Sequence, residues 1–171
     1  MLDKKRLKDI LTFLLPAVII VPLDQLAKFL VKQNIPLGGS IPASGFFRLT
    51  HVQNTGAAFG IFPGTISVLA VVSAVGAIVV LWLGLFMYRR LEFLNSRLSL
   101  IALGMMLGGT LGNFIDRAFI GYVTDFLKMG MWPDYNIADA SEVVGSIMLA
   151  FIIFRSALKE PADGAHETTR C

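Results

Sequence analysis

Hydrophobic and polar positions fall in long blocks along this chain rather than in the short alternation of a soluble fold. Four apolar runs, at about 10–31, 66–88, 98–115 and 137–158, each approach the ~20 residues that a helix rising ~1.5 Å per residue needs to cross a ~30 Å hydrocarbon core. They predict an all-α membrane protein, a four-transmembrane-helix bundle forming one domain over residues 1–158, with a polar, disordered tail at 159–171. The connection 32–65 differs. Its stretch Phe46-Phe47-Arg48-Leu49-Thr50-His51-Val52-Gln53 mixes aromatic and β-branched residues with polar ones between the turn signals Pro36-Leu37-Gly38-Gly39 and Phe62-Pro63-Gly64. That pattern predicts short strands, a small β platform lying on the membrane surface. Asn54-Thr55-Gly56-Ala57-Ala58-Phe59-Gly60 follows, where small residues permit a tight backbone and Asn54 can both donate and accept.

The apolar runs are not uniform. In span one Pro16 and Pro22 interrupt the run, and Asp24 and Lys28 stand four residues apart on one helix face, acid first. The ordinary reading is a self-neutralised pair with Lys28 reaching to the interface; the other is a site facing a cavity. Span two is uncharged, and is read as scaffold or lipid-facing. Span three carries Gly104, Gly108 and Gly112, a small-residue stripe for close helix packing, and ends in Asn113-Phe114-Ile115-Asp116-Arg117. There Asp116 and Arg117 either form a local ion pair or hold polar neighbours. Span four opens with Asn136-Ile137-Ala138-Asp139-Ala140-Ser141-Glu142, in which Asp139 and Glu142 have capping-box spacing. A cap gives no task to the other aspartate of this region, Asp125.

Composition agrees with a membrane protein: 55% of the 171 residues are hydrophobic and 16% charged, against roughly 25% charged in soluble domains. The net charge of +3 matters through its placement. Lys4, Lys5, Arg6 and Lys8 precede span one, Arg89, Arg90 and Arg97 link spans two and three, and Arg155 and Lys159 close span four. Cytoplasmic segments gather Lys and Arg, so both termini are expected inside and the connections 32–65 and 116–136 outside. The first run is too long for a cleaved signal h-region and carries Asp24 and Lys28, so it is expected to be a span. The single cysteine, Cys171, permits no intrachain disulfide.

With that topology Asp24, Lys28, Asn54, Asn113, Asp116, Arg117, Asp125, Asn136 and Asp139 all fall in one layer near the outer leaflet. A zinc protease would want paired histidines on a helix turn, but His51 and His166 are far apart. A Ser/Lys dyad meets the difficulty that Lys28 already has Asp24 at pairing distance. No phosphate-cradling glycine loop and no basic nucleic-acid surface is present, and no metal or cofactor is expected. Two aspartates remain. An aspartic pair needs one carboxylate to deprotonate water and a protonated neighbour to hydrogen-bond the scissile carbonyl, and close carboxylates share one proton.

Five motifs occur in order: Asp24-Gln25-x-x-Lys28, Asn54-x-Gly56-Ala57-Ala58-Phe59, Gly108-Gly109-x-x-Gly112-Asn113-x-x-Asp116-Arg117, Val123-x-Asp125-Phe126 and Asn136-x-Ala138-Asp139. Over about residues 10–158 the chain resembles the lipoprotein signal peptidases, signal peptidase II. The resemblance implies an aspartic endopeptidase of the bacterial inner membrane. Its substrate would be a prolipoprotein, cut just before a diacylglyceryl-modified cysteine. It implies Asp125 and Asp139 as the catalytic residues, with Asp24, Lys28, Asn54, Asn113, Asp116, Arg117 and Asn136 supporting the site or the substrate, and membrane lipids as further partners. Oligomeric state is left open, and a monomer suffices. Two departures stand out: Tyr135 where the family usually has Phe, and Glu142 where an apolar residue is expected, read here as facing away as a helix-dipole partner. The rivals are a proton-coupled transporter or channel using its intramembrane carboxylates, and an assembly subunit packed through its glycines.

Overall fold

The computed structural model describes residues 3–56, 66–91 and 94–158. The segment Ala57-Ala58-Phe59-Gly60, the predicted turn at Phe62-Pro63-Gly64 and the tail 159–171 lie outside them. The order of elements is α1 (Lys4–Asn34), β1 (Ser40–Ile41), β2 (Phe47–Asn54), α2 (Ile66–Trp82), α3 (Arg97–Phe119), β3 (Val123–Met129) and α4 (Ile137–Ala157). A π-helical turn, Leu83–Met87, continues α2. Among the described residues, four helices are long and apolar enough to cross a membrane.

α1 begins before its apolar run and ends after it, and neither Pro16 nor Pro22 stops it. Apolar surroundings penalise every unpaired backbone group, so the helix continues through residues that would end it in water. α3 starts where Ser96 Oγ accepts the Ser99 N–H at 3.0 Å, and it runs on through Asp116 and Arg117, which occupy its last turn. Of its most apolar stretch 56% is buried, against 17%, 11% and 17% for α1, α2 and α4. α3 is therefore the helix on which the other three pack. Phe13, Ala17, Ala77, Val80, Leu100, Leu103 and Leu107 fill the space between α1, α2 and α3.

The glycines of α3 make two seams rather than one stripe. A Cβ at Gly104 would run into the Phe13 carbonyl, and one at Gly108 would lie 3.0 Å from the Ala17 Cα, so this face admits the backbone of α1. Gly109 turns the other way, onto the Ala138 carbonyl of α4, and Gly145 of α4 answers it against the Ala102 carbonyl. Gly112 sits between the seams, where a Cβ would lie 3.0 Å from both Ala138 Cβ and Asp24 Oδ2. At the far end of the bundle, Asp9 of α1 accepts from Tyr88 (2.8 Å) and pairs with Arg89 (3.0 Å), tying the end of α2 to α1.

The strands form one antiparallel sheet, ordered β1-β2-β3, at the end of the bundle where α1 and α3 finish and α4 begins. The turn into β1 uses Gly38 at φ +77°, a left-handed conformation that suits glycine, and donates the Gly38 N–H to His51 O at 2.8 Å. β3 comes from the second connection, which hydrophobic patterning did not predict as a strand. Val123, Thr124, Asp125 and Phe126 are all buried, so the two faces show no contrast for alternation to register. The β2–β3 register sets Arg48 opposite Lys128, Val52 opposite Asp125 and Asn54 opposite Val123, with an irregularity between Leu49 and Val52. Phe46, Phe47, Met131 and Trp132 project from this end as exposed apolar groups.

The seam against α1 yields a paired test. Gly104→Ala should lower the thermal midpoint in detergent, consistent with an overpacking cost of about 1–3 kcal/mol. Gly76→Ala, whose Cβ would meet nothing nearer than Thr110 at 3.7 Å, should leave it unchanged or raise it. Equal midpoints for the two variants would contradict the close approach of α1 and α3.

Candidate active site

Lys28 is the centre of the polar layer. It is 1% exposed, and its ammonium lies 2.7 Å from Asp24 Oδ2 and 3.0 Å from Asp116 Oδ2, both residues being fully buried. The expected Asp24–Lys28 pair is present, but Lys28 turns inward instead of reaching to the interface. A second carboxylate, from α3, accounts for that: with Asp24 and Asp116 both buried beside it, the ammonium is paired inside the bundle, and leaving would strand their charge. Asp116 and Arg117 do not pair with each other, because neighbours on a helix point about 100° apart. Asp116 faces α1, while Arg117 donates to Ser73 of α2 at 3.0 Å.

The two acids of this cluster each have a further partner in an element that carries a candidate catalytic group. Asp24 Oδ1 accepts the Ala138 N–H at the start of α4 (3.0 Å), and Asp116 Oδ2 accepts the Thr124 N–H of β3 (3.2 Å). Lys28 also donates to Asn113 Oδ1 at 3.2 Å. That bond turns the other end of the Asn113 amide, its Nδ2, onto Asp139 Oδ1 at 2.8 Å.

Asn136 joins the two aspartates. Its Nδ2 donates to Asp125 Oδ1 (2.9 Å) and to Asn113 Oδ1 (3.1 Å), while its Oδ1 accepts the Asp139 N–H (2.8 Å). Its own N–H donates to Asp139 Oδ2 at 3.1 Å. The last two bonds form the capping box of α4, which is thus Asn136 with Asp139, one turn earlier than the Asp139–Glu142 spacing suggested. Asn54 of β2 supplies the remaining donor, from Nδ2 to Asp125 Oδ2 at 3.0 Å. Asp125 is buried and Asp139 half-buried. Burial first, and the nearby Asp139 charge second, push the Asp125 carboxyl up to about 7, against the pull of the Asn54 and Asn136 amides and of Lys28.

All nine residues singled out from the sequence therefore lie at this end of the bundle. Eight of them, Asp24, Lys28, Asn54, Asn113, Asp116, Asp125, Asn136 and Asp139, form one hydrogen-bonded network, and Arg117 turns to α2. Glu142 does not face away. It is half-buried against α3, next to Gly109 and hydrogen-bonded to Thr110, because Gly109 leaves room for it. Gln25 was not picked out as a supporting residue, yet its Nε2 donates to the Gly112 carbonyl and to Asp116 Oδ1, both at 3.1 Å. Its position next to Asp24, on the face turned to the glycine seam, was the available signal.

Known proteins resemble this chain in sequence and fold. A family profile described as signal peptidase (SPase) II matches residues 16–155. A lipoprotein signal peptidase of Dehalococcoides mccartyi is 48% identical over 134 residues, covering 78% of this chain and 83% of its own length. One from Enterococcus faecalis is 35% identical over 164 residues, covering 92% and 98%. Among solved structures, a bacterial membrane enzyme determined by the in meso method at 2.3 Å superposes with a TM-score of 0.77 at 28% identity, over 88% of this chain and 92% of that one. With the profile reaching from Pro16 of α1 to Arg155 of α4, across the whole bundle and its buried network, this multi-pass membrane protein belongs to the signal peptidase II family.

Proposed function

We propose that this protein is an aspartic endopeptidase that removes the signal peptide of diacylglyceryl-modified prolipoproteins, just N-terminal to the lipidated cysteine, with Asp125 and Asp139 as its catalytic pair. Family membership supports the protease and its prolipoprotein substrates. The observation that carries the aspartic assignment is the asparagine bridge: two carboxylates on separate elements are held by the same Asn136, one buried on a strand and one half-buried at the head of a helix.

In this reading Asp139 takes a proton from water as the oxygen attacks the scissile carbonyl carbon, and Asp125 gives its proton to the carbonyl oxygen. Collapse of the tetrahedral intermediate breaks the C–N bond: the leaving amine takes up the proton from Asp139, and a hydroxyl of the intermediate returns one to Asp125 as the carbonyl re-forms. The positive end of the α4 dipole favours the charge Asp139 carries at the start. Lys28, Asp24 and Asp116 orient the bridge without touching substrate. The sheet would hold the peptide extended while the lipid chains stay in the bilayer, so that positioning supplies part of the rate. The Lys and Arg distribution supports cytoplasmic termini and a site near the outer leaflet of the bacterial inner membrane. A carrier has nothing in its favour: α2 carries no charged residue, so no ladder of ionisable groups crosses the bundle along it.

Purified protein incubated with a lipid-modified and an unmodified precursor should shorten only the first. Asp125→Asn and Asp139→Asn should each cut kcat by about 10²–10⁴-fold while the protein still inserts and stays monodisperse. Near-normal turnover by either variant would remove the dyad.

The pH profile gives a separate check. Asp125 keeps its proton up to about pH 7 and loses it above, so kcat/KM should fall as pH rises through about 7, the shared proton then being gone. A kcat/KM flat from pH 6 to about 9 would contradict an essential proton on this pair.

A further inference from the structure

The nine residues above leave one polar cluster at this end of the protein without a task. Asp134, in the loop before α4, accepts from Thr50 Oγ1 of β2 at 2.6 Å and pairs with Lys128 Nζ of β3 at 3.1 Å. The next residue, Tyr135, is stitched to β3 by three backbone bonds: its N–H to Leu127 O (3.0 Å), and its O from the N–H groups of Leu127 (2.7 Å) and Phe126 (2.9 Å). After Tyr135 comes Asn136, the bridge between the aspartates.

We propose that Asp134 is a positioning residue for the dyad: by clamping its loop to β2 and β3 it fixes where Asn136 begins, and so holds the Asn136 amide on Asp125. The inference rests on the aspartic reading above. Without the clamp the loop has two exposed apolar residues, Met131 and Trp132, and no other side-chain bond to the sheet among the described residues. Backbone bonds alone, those of Tyr135 and the Gly130 N–H to Phe46 O at 2.7 Å, would then hold the loop, with no side chain fixing the Asp134 end against β2. Asp134 touches neither aspartate, so its effect must pass through Asn136.

Asn136 donates to the Asp125 carboxylate, and a donor to the charged form favours that form. If the amide drifts, Asp125 holds its proton to higher pH, and the alkaline limb of activity moves up. The other charged groups facing Asp125 are Asp139 from α4 and Lys28 from α1. At the clamp they are Lys128 on β3 and its register partner Arg48 on β2.

The test compares Asp134→Ala, Asp134→Asn, Thr50→Val and Thr50→Ser with the unaltered protein on a lipid-modified precursor. Asp134→Ala and Thr50→Val should lower kcat about ten- to a hundredfold with little change in KM, the scale of a small misplacement. Both should move the alkaline limb upward, whereas Asp134→Asn and Thr50→Ser, which keep the clamp's hydrogen bond, should stay close to the unaltered profile. Infrared titration of the Asp125 carboxyl band, assigned by its loss in Asp125→Asn, should show the same upward move without requiring turnover. Loss of activity with neither the limb nor the band moved, or unaltered kinetics in both Asp134→Ala and Thr50→Val, would overturn the proposal. Failure of the unaltered protein to cut the precursor would instead sink the peptidase reading, while the band still reports on the clamp.

Discussion

A lysine ammonium buried between two carboxylates is the constraint on which this structure turns. Lys28 cannot leave Asp24 and Asp116 without stranding charge in an apolar interior, and removing one partner of such a group typically costs about 3–5 kcal/mol. The carboxylates use their remaining capacity to receive the first turn of α4 and the first residues of β3. One ion cluster therefore sets the relative positions of α1, α3, α4 and β3. Its value is geometric more than energetic, since apolar residues of the same volume would stabilise the bundle comparably.

That cluster works only because the backbones are close enough for short side chains to meet. In a bilayer apolar surface gives helices no preference for one another over lipid, so association depends on packing and polar contacts. Glycine supplies both conditions here. Gly104 and Gly108 admit α1, Gly109 admits α4, Gly145 of α4 admits α3 in return, and Gly112, where the seams converge, lies against Asp24 itself. Beyond Gly112 the contacts change from apolar to polar, and the network of asparagines and aspartates begins.

Much of this was legible from residue types and spacing. The long apolar runs, the inward stripe of small residues and the gathering of polar residues at one end needed nothing beyond helix geometry and membrane thickness. What escaped was set by tertiary partners. The inward turn of Lys28 depended on Asp116, 88 positions away in the chain, which no local pairing rule includes. β3 was hidden because it is buried on both faces. Glu142 was misjudged because the room it occupies is made by a glycine on another helix. The capping box starts a turn before the Asp139–Glu142 spacing because Asp139 is its N3 acid and Asn136 its cap, and the same three-residue interval recurs between Asp139 and Glu142.

Asp139 closes the first turn of α4 and, on the dyad reading, also handles the proton. Helix nucleation and chemistry then share one carboxylate, so fraying of a single turn would register as lost turnover long before the bundle separates. Heat, harsh detergent or a thinned bilayer would silence such a molecule while its helical content stayed intact.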